Sequence, residues 1–136
     1  MKSITVEAIV HADVEKIWDM WTGASHIEHW NHASDDWECP HAENDVRVGG
    51  KFVSTMRAVD KSEGFDFNGV YTEVTPNKSI AYTIEGGRIV TVSFEEVDGG
   101  VHVTETFEME NENTEELQRN GWQSILNNFK QYVESH

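Results

Sequence analysis

The feature that most constrains the fold is one long helical pattern at the end of a chain otherwise made of short strand patterns. Strand-like alternation last occurs over residues 101–109, and a helical pattern follows over residues 113–133. One apolar stripe along this helix must be buried, and a curved antiparallel sheet closed by the helix would bury it. The space enclosed between the two is a candidate ligand cavity. The stripe consists of Leu117, Gly121, Ile125, Phe129 and Val133.

Two short helices are expected between the first and second strands. Asp13 is a suitable N-cap for the first helix, and Gly23 ends it. Ser25 and Glu28 have the spacing of a capping box for the second helix. Residues 31–44 contain Pro40 and many polar side chains, and we expect them to be irregular. The six predicted strands lie within residues 4–10, 52–56, 65–71, 80–84, 88–94 and 101–109.

The sequence Asp98-Gly99-Gly100 predicts a tight hairpin between the last two strands. The inward apolar residues have even numbers before this turn, as in Phe94, and odd numbers after it, as in Val103. Only a loop of even length places both sets on one face of the sheet. We therefore expect a loop of even length, such as a two-residue Asp-Gly or Gly-Gly turn.

Composition limits the class of protein. With 10 basic and 25 acidic side chains the net charge is −15, which disfavours nucleic acid and membrane insertion as modes of binding. Cys39 is the single cysteine, so no disulfide forms within the chain. The first ten residues alternate as a strand does and do not resemble a signal peptide. We expect one cytoplasmic domain over residues 1–136, monomeric or homodimeric, with no cofactor.

Three histidines, His26, His29 and His32, are spaced three apart, and Cys39 and His41 follow them. Zinc accepts these ligand types, but the paired spacings of known zinc motifs are absent. We favour ordinary polar histidines and predict no metal site. The chain also lacks a phosphate-binding glycine loop and the sequence context of a serine nucleophile.

Glu105 is the most unusual charged residue of the strand patterns. It is in phase with Val103 and Phe107, so its carboxylate points toward the apolar face of the sheet. Arg88 has the same inward phase on the neighbouring strand. We favour a structural role, in which Glu105 reaches solvent at the rim or forms an ion pair. The alternative makes Glu105 and Arg88 polar anchors in a cavity or catalytic groups.

Aromatic side chains are numerous, with 5 Trp and 6 Phe, and most such rings belong to ordinary cores. Their distribution around one helix and one long loop nevertheless favours a binding cavity. We predict that Trp30 and Trp37 stand at its entrance. The predicted ligand-binding set is Trp30, Trp37, Phe52, Met56, Phe67, Tyr71, Phe94, Glu105, Trp122 and Phe129.

Five stretches of the chain resemble the superfamily of START lipid-transfer domains, the birch-pollen allergen and polyketide cyclases, called SRPBCC. Within it, the chain is most similar to homologues of the activator of the 90-kDa heat-shock protein's ATPase. The stretches are ITVEAIVHADVEKIWDMWT (4–22), HWNHASDDWECPHAENDVRVGGKF (29–52), GFDFNGVYTEVTPNKSIAYT (64–83), VTVSFEEVDGG (90–100) and NGWQSILNNFKQYVE (120–134).

The resemblance implies an α+β helix-grip fold, with a curved six-stranded antiparallel sheet, two short helices after strand one and a long C-terminal helix. It also implies an apolar cavity between sheet and helix. Members of the superfamily bind lipids, hormones or polyketides, and a minority catalyse cyclisation or dehydration. Three hypotheses follow: binding of an apolar or aromatic small molecule, a cyclase or dehydratase using Glu105 and Arg88, and regulation of a chaperone ATPase.

Overall fold

The chain forms one antiparallel sheet and three α-helices, which a computed structural model describes for residues 2–136. Met1, the first residue of the predicted domain, lies outside the described residues. A single 3₁₀ turn, Glu85–Gly87, precedes the sixth strand. The elements are β1 Ser3–Val10, α1 Val14–Thr22, α2 Ala24–Trp30, β2 Trp37–Asn44, β3 Lys51–Ala58, β4 Gly64–Thr75, β5 Ser79–Ile84, β6 Arg88–Val97, β7 Gly100–Glu108 and α3 Glu115–Glu134.

The sheet described by residues 2–136 has seven strands, so the prediction of six was wrong. Its order is β1-β7-β6-β5-β4-β3-β2, with every pair antiparallel. The additional strand is β2, within the segment predicted to be irregular. Pro40 is tolerated there because β2 is an edge strand, and its pairing with β3 shifts between Glu38 and His41. That bulge breaks the alternation by which strands are recognised.

The hairpin between β6 and β7 confirms the parity argument. Val97 pairs with Gly100 across the two-residue turn Asp98-Gly99, and Gly99 has a φ of +79°, which favours glycine. Phe94 then faces Val103 across the strands, and both are buried. The predicted inward faces of β6 and β7 are therefore correct.

Helix α3 lies along β1 and closes the concave side of the sheet. It begins at Glu115, two residues after the predicted start at residue 113, and the side chain of its N-cap Thr114 accepts a hydrogen bond from the Leu117 backbone N at 3.1 Å. Leu117 is 59% exposed although it was assigned to the apolar stripe, whereas Gln118 is buried. The stripe is correct farther along, where Phe129 and Val133 are fully buried beside Leu126.

Side chains of α3 also cover the outer edge of β1. The outward carbonyls of Thr5, Glu7 and Ile9 accept hydrogen bonds from long polar side chains of α3. Lys130 Nζ, for example, donates to Ile9 O at 2.6 Å. Glu134 accepts from the His11 backbone N at 2.8 Å. An edge occupied in this way is protected against pairing with a second strand.

The two short helices form at the predicted places, and α1 has the predicted N-cap Asp13 and ends at Gly23. The predicted cap of α2 is wrong. Gly23 ends α1 and serves as N-cap of α2, so Ser25 lies inside α2 and the predicted capping box does not form. Glu28 instead accepts a hydrogen bond from the Ala42 backbone N of β2 at 3.0 Å. This contact ties α2 to the second edge strand. Within residues 2–136, no helix is both long enough and apolar enough to cross a membrane.

Candidate functional site

A cavity of about 210 Å³ lies between the sheet, α2 and α3. Strands β2 to β5 and β7 form its floor, and α3 covers it with the side chains of Trp122 and Ile125. The residues that line it are mostly apolar or aromatic, as is usual for small-molecule sites. They are Trp21, Ile27, Trp30, Asn31, Glu43, Asn44, Phe52, Ser54, Met56, Phe65, Phe67, Tyr71, Tyr82, Glu105, Trp122 and Ile125.

The structure brings most of the predicted ligand-binding residues to this cavity and places three elsewhere. The residues brought to it are Trp30, Phe52, Met56, Phe67, Tyr71, Glu105 and Trp122. Phe94 and Phe129 are buried in the core, and Trp37 packs on the outside of the lining residue Phe65, with ring centroids 5.9 Å apart. Phe94 and Phe129 have the predicted inward direction, as the lining residues do, but other rings surround them.

Four rings fill one end of the space between sheet and helix and thereby fix where the cavity begins. Trp21 contacts Phe94, Phe129 and Trp30 with centroid distances of 5.8, 4.9 and 5.1 Å. Phe129 also lies 4.9 Å from Trp30. These edge-to-face and tilted contacts pack the space densely. The cavity occupies the other end, under the first half of α3.

Gly121 lies in that first half of α3, immediately before Trp122. A Cβ added to it would meet no heavy atom within 4 Å, so the glycine is not required for close approach of the helix to the sheet. The Trp122 ring stacks on Phe107, with centroids 4.0 Å apart and planes 10° apart. The indole therefore covers the inner face of β7 beside Glu105.

Glu105 is 6% exposed and lies on the inner face of β7 between Val6 of β1 and Val92 of β6. Within residues 2–136 its carboxyl makes neither a hydrogen bond nor an ion pair, and it lines the cavity. Burial raises the pKa of Glu105 from 4.5 to about 8, because a charged carboxylate is poorly solvated there. Neither form of the favoured structural role, a solvent-facing rim residue or an ion pair, is observed.

Arg88 is not the partner of Glu105. Its guanidinium donates to the backbone oxygens of Glu85 at 3.4 Å and Glu108 at 3.3 Å. It lies at the first residue of β6 and does not line the cavity. The common phase of Arg88 and Glu105 is real, but their positions along the strands separate them.

Two tyrosines provide further polar atoms. The Tyr71 hydroxyl donates to Asn44 Oδ1 at 2.5 Å, and Asn44 Nδ2 donates to the Thr22 backbone O at 2.7 Å, so this chain is satisfied within the protein. The Tyr82 hydroxyl makes no hydrogen bond among the described residues and lines the cavity. Burial and then the nearby charge of Glu105 raise the pKa of Tyr82 well above 10. Tyr82 is therefore a neutral hydrogen-bonding group beside Glu105.

The cavity opens toward the edge of the sheet. Phe65 is 56% exposed, and Glu43 is exposed while Asn31 is half-buried. These three residues, and not the predicted Trp37, lie where solvent meets the lining. Trp30 is 5% exposed, and its indole N–H donates to the Met20 backbone O at 2.9 Å, so it is a wall residue and not an entrance residue.

The histidines considered as metal ligands do not converge on one point, and His32 Nδ1 is buried without a hydrogen-bond partner among residues 2–136. His26 Nδ1 lies 2.7 Å from the Tyr132 hydroxyl, and His29 stacks on the same ring. His41 Nε2 lies 3.1 Å from Glu43. In the part of the chain that the structure describes, no three His, Cys, Asp or Glu side chains come together as a metal site.

Several lining residues were not identified from the sequence. Trp21, Ile27, Tyr82 and Ile125 line the cavity but are absent from the predicted ligand-binding set. For Tyr82 a signal was present, because its inward phase on β5 matches that of Glu105 on β7. Glu43, Asn44 and Asn31 belong to the segment predicted to be irregular, so no phase could be assigned to them.

Comparison with known proteins identifies relatives of known structure. The family model described as Activator of Hsp90 ATPase homolog 1-like protein matches residues 11–134. No curated protein matches the chain. The solution structure of an AHSA1-like protein from Aeromonas hydrophila is 40% identical, with a TM-score of 0.93, and the alignment covers 98% of this chain and 93% of that one.

Two further solved structures support the same fold. A protein from Cytophaga hutchinsonii is 46% identical, with a TM-score of 0.85, over 98% of this chain and 92% of that one. A protein from Chromobacterium violaceum has a TM-score of 0.89 over 98% of this chain and 99% of that one, but is 23% identical. The last likeness concerns the fold alone.

Proposed function

Since the chain belongs to the family of Activator of Hsp90 ATPase homolog 1-like proteins, we propose that it binds an apolar or aromatic small molecule between its sheet and α3. This family is part of the SRPBCC superfamily, whose fold commonly binds hydrophobic ligands. The observation that carries the proposal is the cavity of about 210 Å³ with an unpartnered Glu105 carboxyl in its wall. A buried polar group without a partner destabilises the fold, and a ligand that supplies the missing hydrogen bond removes that penalty.

The size of the cavity limits the ligand. An apolar protein cavity of about 150 Å³ holds benzene, so 210 Å³ accommodates on the order of ten non-hydrogen atoms. One aromatic ring with a short substituent fits this space. A long acyl chain or a multi-ring molecule exceeds it and would extend past Phe65 into solvent.

The proposal is tested by titrating the protein with 2-phenylethanol and with indole while recording tryptophan fluorescence and amide NMR shifts. Saturable shifts at residues that line the cavity are expected. Ser54→Leu adds a bulky side chain to the cavity wall and should weaken binding at least ten-fold. The matched control is Thr91→Leu on the exposed face of β6, which should bind as the parent does. Binding that is equal in both variants, or absent for every probe, contradicts the proposal.

A second candidate function is acid–base catalysis by Glu105. It is favoured by one observation, the rise of the Glu105 pKa to about 8, because efficient proton transfer needs a pKa near the working pH. Arg88 has no part in it, since its guanidinium binds backbone oxygens outside the cavity. Glu105→Gln would abolish turnover of a cavity-bound substrate and preserve its binding, whereas Arg88→Gln would alter neither. Turnover retained by Glu105→Gln excludes this function.

The family description also names the ATPase of Hsp90. A regulatory contact of this kind would have to place a basic partner surface against a chain with a net charge of −15, and such a contact weakens steeply with added salt. The measurement is the ATPase rate of Hsp90 with and without this protein at low salt. An unchanged rate excludes this partner.

A further inference from the structure

All ionisable side chains in the cavity wall are acids. Glu43 lies at the mouth and Glu105 inside, and the only other titratable groups are the hydroxyls of Tyr71 and Tyr82. Among residues 2–136, no lysine, arginine or histidine lines the cavity. An anion bound here would have no counter-charge in the cavity wall, which is unfavourable in a desolvated site.

The neighbours of Glu105 leave its carboxyl available to a ligand. Val6 and Val92 flank it across the strands, and Phe107 follows it on the inner face. None of these side chains can donate or accept a conventional hydrogen bond. Glu105 is 6% exposed and borders the cavity, so the occupant of the cavity is the group that can pair with it.

The other walls present aromatic rings in contact with one another. Phe52 lies 5.8 Å from Phe67, 5.4 Å from Tyr71 and 4.9 Å from Tyr82, measured between ring centroids. Phe67 in turn lies 6.1 Å from Trp122 on α3. Aromatic faces attract organic cations, most strongly where water is excluded. Acidic and aromatic walls together therefore favour a positively charged ligand.

We propose, building on the small-molecule binding described above, that the ligand is a compact aromatic amine whose ammonium group pairs with Glu105 while its ring lies among Phe52, Phe67 and Trp122. The cavity rejects carboxylates of the same size. Tyr82 accepts a second hydrogen bond from the ammonium through its free hydroxyl oxygen. The net charge of −15 raises the local concentration of cations around the mouth.

Three probes with nearly the same skeleton test this selectivity: 2-phenylethylamine, 2-phenylethanol and phenylacetate. We expect the amine to bind at least ten-fold more tightly than the alcohol, the difference typical of a charge-assisted hydrogen bond, and phenylacetate to bind most weakly. Glu105→Gln should lower the affinity for the amine about ten-fold. It should change the affinity for the alcohol by less than two-fold. Glu95→Gln, which removes the same charge from the exposed face of β6, should leave all three affinities as they are.

The pH dependence gives an independent readout. Pairing requires ionised Glu105, so amine affinity should rise about ten-fold per pH unit from pH 6 to 7.5, and alcohol affinity should not rise. The two tyrosines of the cavity wall do not titrate between pH 6 and 7.5, because the pKa values of Tyr82 and Tyr71 are raised above 10. Val6 of β1 and Val92 of β6 flank Glu105 across the strands, and the residues of α3 that line the cavity are Trp122 and Ile125. None of these four side chains is titratable.

The outcomes separate the two proposals. Failure of all three probes to bind contradicts small-molecule binding itself. Binding of the alcohol or phenylacetate as tight as that of the amine overturns the amine inference and leaves small-molecule binding in place. Equal loss of amine affinity in Glu105→Gln and Glu95→Gln also overturns it, because the preference would then come from the overall charge and not from the cavity.

Discussion

Replacing Glu105 by glutamine should stabilise the protein, and the gain should depend on pH. Glutamine has nearly the same size and is neutral at every pH, whereas the native fold must keep Glu105 protonated or bury its charge. The folded-state pKa is about 8 against a reference value of 4.5. The native state therefore binds more protons than the unfolded state between these values, and the stability of the parent protein falls as pH rises from 4.5 through 8.

The magnitude follows from the pKa difference. Each pKa unit corresponds to about 1.4 kcal/mol. At pH 7 the free energy of unfolding of the parent is therefore lower by about 3 kcal/mol than that of a chain with a neutral residue at this position. Near pH 4.5 the loss approaches zero, because Glu105 is protonated in the folded state and half-protonated in the unfolded state. Above pH 8 it reaches a plateau of about 5 kcal/mol.

The assay is urea unfolding of the parent and Glu105→Gln at half-unit steps from pH 4.5 to 9, followed by tryptophan fluorescence. The control is Glu95→Gln on the exposed face of β6, which should show a small difference without this pH trend. A difference between parent and Glu105→Gln that stays constant across the pH range refutes the reasoning. Destabilisation by Glu105→Gln at pH 7 refutes it equally, since it would mean that the carboxyl has a partner inside the fold.

Three further predictions concern stability and reactivity. Thr114→Ala should lower the free energy of unfolding by about 1 kcal/mol, because it removes the cap on Leu117 N; urea unfolding measures it, and an unchanged midpoint contradicts it. Gly121→Ala should raise that free energy by about 1 kcal/mol, because its Cβ meets nothing within 4 Å; a lowered melting temperature would contradict this. Cys39 should react with iodoacetamide roughly 100-fold more slowly in the folded protein at pH 8, because burial raises its pKa from 9 to about 11; equal rates in urea and buffer would disprove it.

Local sequence patterns predicted the secondary structure correctly where the alternation of apolar residues and the turn residues agreed. The opposite parities of Phe94 and Val103 predicted an even-length loop at Asp98-Gly99-Gly100, and the structure has the two-residue turn Asp98-Gly99. Strand β2 was missed because two local rules failed there together: Pro40 normally argues against a strand, and the bulge after Glu38 interrupts the alternation. Edge strands tolerate both features, but position in the sheet is a tertiary property.

The types of residue that form the site could be predicted from the sequence, but their positions relative to the cavity could not. The phase of Glu105 predicted an inward carboxyl, which the structure has. The same phase rule applied to Arg88 says nothing about distance along the strands, and Arg88 lies outside the cavity. Phe129 and Trp122 both lie on α3, yet Phe129 fills the space beside Trp21 and Trp122 covers an empty part. Which end is filled depends on how rings from distant segments pack together.

The central claim, that the space between α3 and the sheet is an open binding site, is tested most directly by NOEs between protein methyls and a bound probe. With selectively labelled Met and Ile methyls and 2-phenylethylamine at saturation, NOEs from the ring protons should reach Met56, Ile27 and Ile125, which line the cavity. Ile4, which is buried outside the cavity, should show none. Saturable binding without NOEs to the cavity methyls, or with NOEs only to surface residues, would contradict the account.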